Sequence, residues 1–399
     1  MDEDRIGSAT TYRDQGTGVE ATVLRRYAGA AAEVEACLCL PVSYDPRLLE
    51  VIPPEIIEKD YGCGDPSRHV RAGETVLDLG SGSGKGCYII SQIVGRKGKV
   101  IGVDFNPPML ALARKHQQAI GDRLGYHNVE FRRGKIQDLK TDLELLERYL
   151  SENPVREVAH LARLEEFTSK IREERPMIAD ESIDVIVSNC VLNLVRSEDK
   201  RALFAEMYRV LKRGGRVAIS DIVCDEPVPE HLAQDANLWS ACVSGAFQEE
   251  EFLRAFQEAK FHGIQIEDFS AEPYQIVEGM EFRAVTVTAY KGKEGPCIER
   301  NQAVIYRGPW KQVVDDDGHT LERGARMAVC DKTFKLYSQP PYAGQIIPVP
   351  PRAEIAMEEA GVFDCARDHR RHPRETKGAE FKVTRAASDV CSPGSNCCP

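Results

Sequence analysis

Between residues 74 and 223 short apolar runs recur along the chain, separated by longer stretches with helical spacing. "ETVLDLG" at 74–80 ends on a glycine, and "KVIGVDF" at 99–105 repeats its shape after a helical stretch that begins near Lys85. "VEFRRGK" at 129–135, "IDVIVSNCV" at 183–191 and "GGRVAISDIV" at 214–223 extend the series. Strands alternating with helices predict an α/β protein whose mostly parallel sheet is covered by helices on both faces. "IQIEDFS" at 264–270 and "FRAVTVTAY" at 282–290 stand too close together for a crossover helix, so they are expected as an antiparallel end to a seven-stranded sheet.

Two segments fall outside this rhythm. Residues 138–180 are densely charged and longer than a sheet connection requires, and Leu139, Leu143, Leu146 and Leu150 recur at alternating four and three. A helical hairpin on the outside of the sheet is expected there. After Lys291, "KGKEGP" marks a boundary, and residues 291–380 are expected as a smaller C-terminal domain in which "DDDGH" turns between strand-like runs. Residues 381–399 end in "CSPGSNCCP" and are expected to be a mobile tail carrying Cys391, Cys397 and Cys398.

The chain has 399 residues, 42% hydrophobic and 29% charged, enough to build more than one core. A formal charge of −11 argues against a nucleic-acid or membrane-surface partner, which would call for a concentrated basic face. The first thirty residues hold no apolar run of the kind a secretory signal or a membrane span contains, so a cytoplasmic location is expected. Thirteen cysteines, an odd number scattered as singles and short clusters, fit poorly with a secreted disulfide framework. Reduced thiols with a chemical task are the alternative.

"DLGSGSG" follows the first strand and opens a helix. Its glycines Gly80, Gly82 and Gly84 allow a tight turn and close approach to a ligand, and the helix start offers free N–H donors. A phosphate-binding P-loop is excluded, because Leu79 stands where its first glycine belongs and Gly86 where Ser or Thr must follow Lys85. Asp104, ending the second strand, is placed to bind ribose hydroxyls, as in dinucleotide enzymes. The opening Asp78 and the spacing Asp-x-Gly-x-Gly-x-Gly resemble the first motif of class I methyltransferases that use S-adenosylmethionine. By that resemblance Met109 lies near the adenine and residues 135–138 border it. No second half-fold for a nicotinamide follows, which disfavours a dinucleotide enzyme.

Cys190 falls at the end of the fourth strand, where open parallel sheets place their ligands. Alone, such a cysteine fills core as a small hydrophobe. Its company changes that reading: "DYGCGDP" sets Cys63 between glycines just before the sheet, and "NLWSACVSGAF" sets Cys242 after the fifth strand, in the acceptor segment 224–250. Through "YGCG", "DLGSGSGKGCY", "VSNCVLNLV", "RVLKRGG", "SDIV" and "LWSACVSGA", residues 35–290 resemble the arsenite S-adenosylmethionine methyltransferases. The segment "GPWKQVVDDDGHTLERGARMAVCDKTF" resembles the accessory domain of many members.

The resemblance implies that Cys190 and Cys242 bind trivalent arsenic with Cys63 as third thiol. It further implies that Cys37 or Cys39, in the N-terminal segment 1–70, is the upstream partner of Cys63 in a transient disulfide. It places Tyr61, Gly80, Asp104, Met109, Ile136, Asn189 and Val191 beside the cofactor, and Gln137 stands where members often carry glutamate. It implies arsenite or its glutathione adducts as substrate and glutathione or thioredoxin as the thiol reductant. The residues agree on independent grounds: trivalent arsenic is soft and takes sulfur donors, and its lone pair needs no general base to accept a methyl group. His231 is the histidine nearest the acceptor segment in sequence and reads as a surface residue. Cys87 and Cys224 read as structural, and Cys297, Cys330 and Cys365 give no spacing signal. Three other readings stand beside this one: a methyltransferase for a small organic acceptor such as a quinone or sterol, a thiol-based metalloid sensor or buffer, and zinc on Cys37, Cys39 and Cys63, whose spacing matches no common zinc motif.

Overall fold

The structure, a computed structural model, describes residues 19–33, 35, 42–59 and 61–383. Cys37, Cys39, Cys391, Cys397 and Cys398 lie outside the described residues, and with them the expectations for an upstream disulfide partner and a mobile tail. The chain divides into two compact units, residues 1–292 and 293–399.

In the first unit a parallel sheet is built from β1 (Thr75–Leu79), β2 (Lys99–Asp104), β3 (Val129–Arg133), β4 (Ile183–Asn189) and β5 (Leu211–Cys224). After β6 (Phe247–Gln248), the strands β7 (His262–Phe269), β8 (Gln275–Val277) and β9 (Met280–Tyr290) complete it in the order β3-β2-β1-β4-β5-β9-β7. β9 runs antiparallel to both β5 and β7, as the short spacing required. The sheet has nine strands rather than seven, because β6 adds two residues beside β5 and β8 pairs with β9. β5 also starts earlier than expected, at Leu211, so that "LKRGG" extends the strand rather than preceding it.

The inner strands carry no alternation because both faces are covered. Leu77, Leu79, Val103, Ile183 and Ile186 belong to a core shared with Leu203, Phe204 and Met207 of the helix Lys200–Val210, while Val76, Val100, Val185 and Val187 pack with Cys87, Ile89 and Ile90 of the helix Lys85–Val94 on the other side. Chain order reverses between β1 and β4, so their carboxyl ends open a crevice. Register places Leu79 against Val103 on one side and Ser188 on the other, and Asn189 against Ser220. Gly80, Asn189 and Cys190 therefore emerge together.

The charged insertion forms the expected hairpin, Leu143–Glu152 and Val158–Glu174, closed by stacked rings of Tyr149 and Phe167 at 3.9 Å. Leu139 is not on the helix. Asp142 caps the first turn through the N–H groups of Glu144 and Leu145, which leaves Leu139 buried in the loop before it.

The second unit is built of short strands, the hairpin Gln312–Val314 and Thr320–Glu322 among them, around a core of Val304, Tyr306, Leu321, Met327, Val329, Tyr337 and Ile346. Arg371 is fully buried there and bonds Glu299 at 2.8 Å and Glu375 at 2.9 Å. Among the described residues no helix is long and apolar enough to cross a membrane.

Candidate active site

A cleft of about 1240 Å³ opens where β1 and β4 end. The turn after β1 forms its floor: the N–H groups of Gly80 and Ser81 donate to the Val103 carbonyl, and that of Gly82 donates to Asp104 Oδ2 at 2.8 Å. Gly80 has φ +74°, and a Cβ there would stand 2.4 Å from Val191. We expect Gly80→Ala to destabilise the fold by ~1–3 kcal/mol and to weaken cofactor binding, measured by urea denaturation and calorimetry. Gly82 faces open space, where nothing lies within 4 Å of a Cβ position.

The cleft is lined by Tyr61, Asp78, Gly80, Gly82, Asp104, Met109, Ile136, Gln137, Asn189, Cys190 and Val191, all expected from the sequence. Gly84 is the exception. It caps the following helix at φ +87°, and a Cβ there would meet the Phe131 ring at 2.8 Å. Its absence of side chain lets the helix close onto β3, so it shapes the site from behind without lining it.

The cleft fits S-adenosylmethionine. Burial raises the Asp104 carboxyl, against N–H bonds from Asn106 and Gly82 that hold it charged, and its remaining lone pairs can accept ribose hydroxyls. Ser81 Oγ is buried at the same wall with no hydrogen-bond partner among the described residues. Cys87, expected as core, is fully buried but also lies with its Sγ 3.2 Å from Asp78 Oδ2. Glu20, Val23 and Tyr27, on the helix Val19–Ala32, cover the cleft, and Glu20 is tied to Lys135 at 2.8 Å. This cover escaped sequence reasoning, although positions 20, 23 and 27 carry the spacing of one helix face. Tyr44 escaped it too.

A second, smaller cavity is lined by Tyr27, Tyr61, Cys63, Cys190, Ile222, Cys242 and Tyr274. Cys190 lines both cavities. Cys63 and Cys190 are joined by a disulfide across a Cα separation of 5.9 Å, and Cys242 Sγ donates to the Cys190 carbonyl at 3.1 Å. The bond thus joins Cys63 to one of the expected arsenic pair.

Asn189 brings these groups together. Its Oδ1 accepts from the N–H of Cys63 at 2.8 Å and of Gly64 at 3.2 Å, and its Nδ2 donates to the Gly64 carbonyl at 2.7 Å. The amide expected at the cofactor is committed to the Cys63 loop. Gly62 and Gly64 allow this approach, since a Cβ would stand 2.4 Å from Asn189 and 2.5 Å from Ser220. Asn189→Ala takes the acceptor from the N–H groups of Cys63 and Gly64, the Gly64 carbonyl keeping the Tyr44 hydroxyl, and is expected to cost ~1–3 kcal/mol, with slower closure of the Cys63–Cys190 bond in a glutathione redox buffer.

Cys190 and Cys242 have φ +58° and +62°, left-handed backbone that a cysteine rarely adopts. Burial pushes the Cys242 thiol up, with the charge of Asp221 adding to the effect, while a hydrogen bond from Tyr27 and the charges of Arg26 and Lys200 oppose it. Behind Cys242, burial pushes Asp221 up to about 6, against backbone bonds from Leu192 and Ile222 and the charge of Lys200. Burial lowers Lys200 to about 8, and its Nζ donates to the Gly245 carbonyl at 2.5 Å. Between the unfolded value near 3.8 and about 6, the folded chain holds a proton on Asp221 that the unfolded chain lacks, so this group makes stability fall as pH rises through that window. Asp221→Asn removes that slope, and its stability relative to wild type is expected to rise with pH there by up to ~1.4 kcal/mol per pH unit, read from urea midpoints.

His231 is exposed and bonds Glu278 at 2.9 Å, and Cys224 is fully buried beside Asp225 and lines neither cavity.

A methyltransferase-domain family model matches residues 71–149 and 157–260, passing over the tip of the helical hairpin, and a domain of unknown function matches 293–381. Sheet order, glycine turn and buried Asp104 define a class I S-adenosylmethionine methyltransferase. An arsenite methyltransferase of Aquipseudomonas alcaligenes is 33% identical over 335 residues, covering 78% of this chain and 85% of that protein. One from Mus musculus is 27% identical, covering 82% and 81%. The crystal structure of an arsenic(III) S-adenosylmethionine methyltransferase from Chlamydomonas reinhardtii superposes with a TM-score of 0.52 at 27% identity, over 82% of this chain and all of that one. The chain belongs to the arsenite methyltransferase family.

Proposed function

We propose that this chain methylates trivalent arsenic held by Cys63, Cys190 and Cys242. The observation that carries the reading is the position of Cys190 in the wall of both cavities, with Cys63 bonded to it and Cys242 against its carbonyl. Asp104, Met109, Ile136 and the turn 80–82 hold S-adenosylmethionine, which supplies an electrophilic methyl group on a cationic sulfur.

The protein's share of the chemistry is to bind and aim the arsenic. Arsenous acid is neutral and carries three hydroxyls. Each thiol that condenses with it forms an As–S bond, and its proton leaves with a hydroxyl as water, so no charge is created in the cavity. A Cys242 thiol held protonated by burial is therefore in the right state. Three sulfurs leave the arsenic lone pair as the fourth corner of a tetrahedron, free to act as nucleophile without a general base. The expected course is one methylation and then a second, with arsenite delivered as a glutathione adduct. The first transfer uses the lone pair, and a resetting step between the two returns it. Two arsenic-bound sulfurs leave as a disulfide that carries off two electrons' worth of oxidation, while a fresh thiol binds arsenic and loses its proton. Glutathione or a thioredoxin-type dithiol then reduces that disulfide.

The Cys63–Cys190 bond must open first. A thiol of glutathione or a thioredoxin-type dithiol attacks one sulfur, and a second thiol resolves the mixed disulfide. Two electrons and two protons pass to the protein while the donor is oxidised. An acceptor such as a quinone or sterol would not call for the three thiols in one cavity. A sensor or buffer would not need the cleft beside them.

The test is incubation of reduced protein with labelled S-adenosylmethionine, glutathione and arsenite, followed by separation of the arsenicals. Cys63→Ser is expected to impair formation of the dimethylated product; wild-type rates of that product would contradict the resetting step.

A further inference from the structure

The segment that carries Cys242 is wrapped against the turn that carries Cys190. Cys190 leaves β4 with its N–H on the Ser220 carbonyl at 2.8 Å, and a single tight helical turn, Leu192–Leu194, follows. Trp239 Nε1 donates to the Leu194 carbonyl at 3.3 Å, Lys200 Nζ holds the Gly245 carbonyl, and a Cβ at Gly245 would stand 2.0 Å from the Asn193 carbonyl oxygen. At the centre of this contact is Asn193, which is fully buried. Its Nδ2 donates to the Ile222 carbonyl on β5 at 2.6 Å and to the Cys242 carbonyl at 3.3 Å. Its Oδ1 is buried with no hydrogen-bond partner among the described residues, so the position uses the amide for its donors.

We propose that Asn193 is a positioning residue that, through the Cys242 backbone, holds the sulfurs of Cys190 and Cys242 at the separation one arsenic atom spans. The inference rests on the arsenic reading of that pair. Another link between the two, from Cys242 Sγ to the Cys190 carbonyl at 3.1 Å, is made with the thiol proton, and that proton leaves in water when the As–S bond forms. That link cannot hold the loaded site. The Asn193 bonds involve no reacting atom, so they persist through condensation and methyl transfer. Both cysteines have left-handed backbone, φ +58° and +62°, which persists only where the surroundings fix it, and at residue 242 the carbonyl is fixed by Asn193. A pair ordered before arsenic arrives loses no further freedom when the second As–S bond closes, which is the advantage of a preorganised chelate.

The test uses reduced full-length protein carrying Cys63→Ser, so that Cys190 and Cys242 stand as a pair. Methylarsonous acid has two hydroxyls to exchange and bridges two thiols, whereas dimethylarsinous acid has one and takes a single thiol. For each, the concentration that half-protects Cys190 from N-ethylmaleimide is read by peptide-resolved mass spectrometry. Methylarsonous acid is expected to protect at a concentration at least about 100-fold lower. Equal concentrations would remove the chelating pair, and with it the arsenic reading. With Asn193→Leu or Asn193→Asp added, that advantage is expected to fall by about ten-fold or more, while protection by dimethylarsinous acid and calorimetric affinity for S-adenosylmethionine stay within about two-fold. A merely structural role would move both arsenicals together. An unchanged advantage, a parallel loss for both arsenicals, or loss of cofactor binding in both Asn193 variants would overturn the proposal.

Discussion

Cys190→Ser and Cys242→Ser are each expected to lower arsenite methylation by at least about 100-fold while S-adenosylmethionine binds as in wild type. At position 242 serine retains a polar hydrogen beside the Cys190 carbonyl and Tyr27, so the fold has no reason to rearrange. What disappears is one soft donor, and with it the fixed direction of the arsenic lone pair. At position 190 the change also removes the sulfur that lines both cavities. The measurement is product formation by chromatography beside calorimetric cofactor affinity. Backbone strain supplies an internal control: since residue 242 has φ +62°, Cys242→Gly should be more stable than Cys242→Ala by ~1 kcal/mol although both are inactive.

The second large effect is redox. With the Cys63–Cys190 bond closed, two of the three donors are tied to each other, so protein prepared without reductant is expected to take up no arsenite at this site and to form no methylated product. Adding glutathione or a dithiol should switch the activity on. The same pretreatment of Cys63→Ser should change arsenite uptake at Cys190 and Cys242 little, since neither is then locked by this bond. Uptake measured by arsenic content of the reaction-site peptides distinguishes the two proteins.

Much of this was legible in the sequence, and the parts that were not share a cause. β1 to β5 could be read because strands buried on both faces are continuous apolar runs, and β7 and β9 because no helix fits between them. Asp78, Gly80, Gly82 and Asp104 could be placed at the cleft because they stand at strand ends or in the turn that follows one. Apart from Cys63, Cys190 and Cys242, which the family resemblance brought together, the contacts that depend on distant segments meeting could not be read. The resemblance places Asn189 beside the cofactor, and it lines the cleft, but that its amide also holds the Cys63 loop, 126 residues away in the chain, could not be read. The buried pair Asp221 and Lys200 behind Cys242 lies on separate elements. Gly84 was misplaced for a related reason: spacing identifies a glycine but does not tell whether the missing side chain makes room for ligand or for Phe131.

Transfer of label from the methyl group of S-adenosylmethionine to arsenic by the reduced full-length protein tests the account most directly. The account predicts labelled mono- and dimethylated arsenicals from wild type, and none from Cys190→Ser or Cys242→Ser. Reduced protein that binds the cofactor yet leaves arsenite unlabelled, or variants that match wild type, would contradict it.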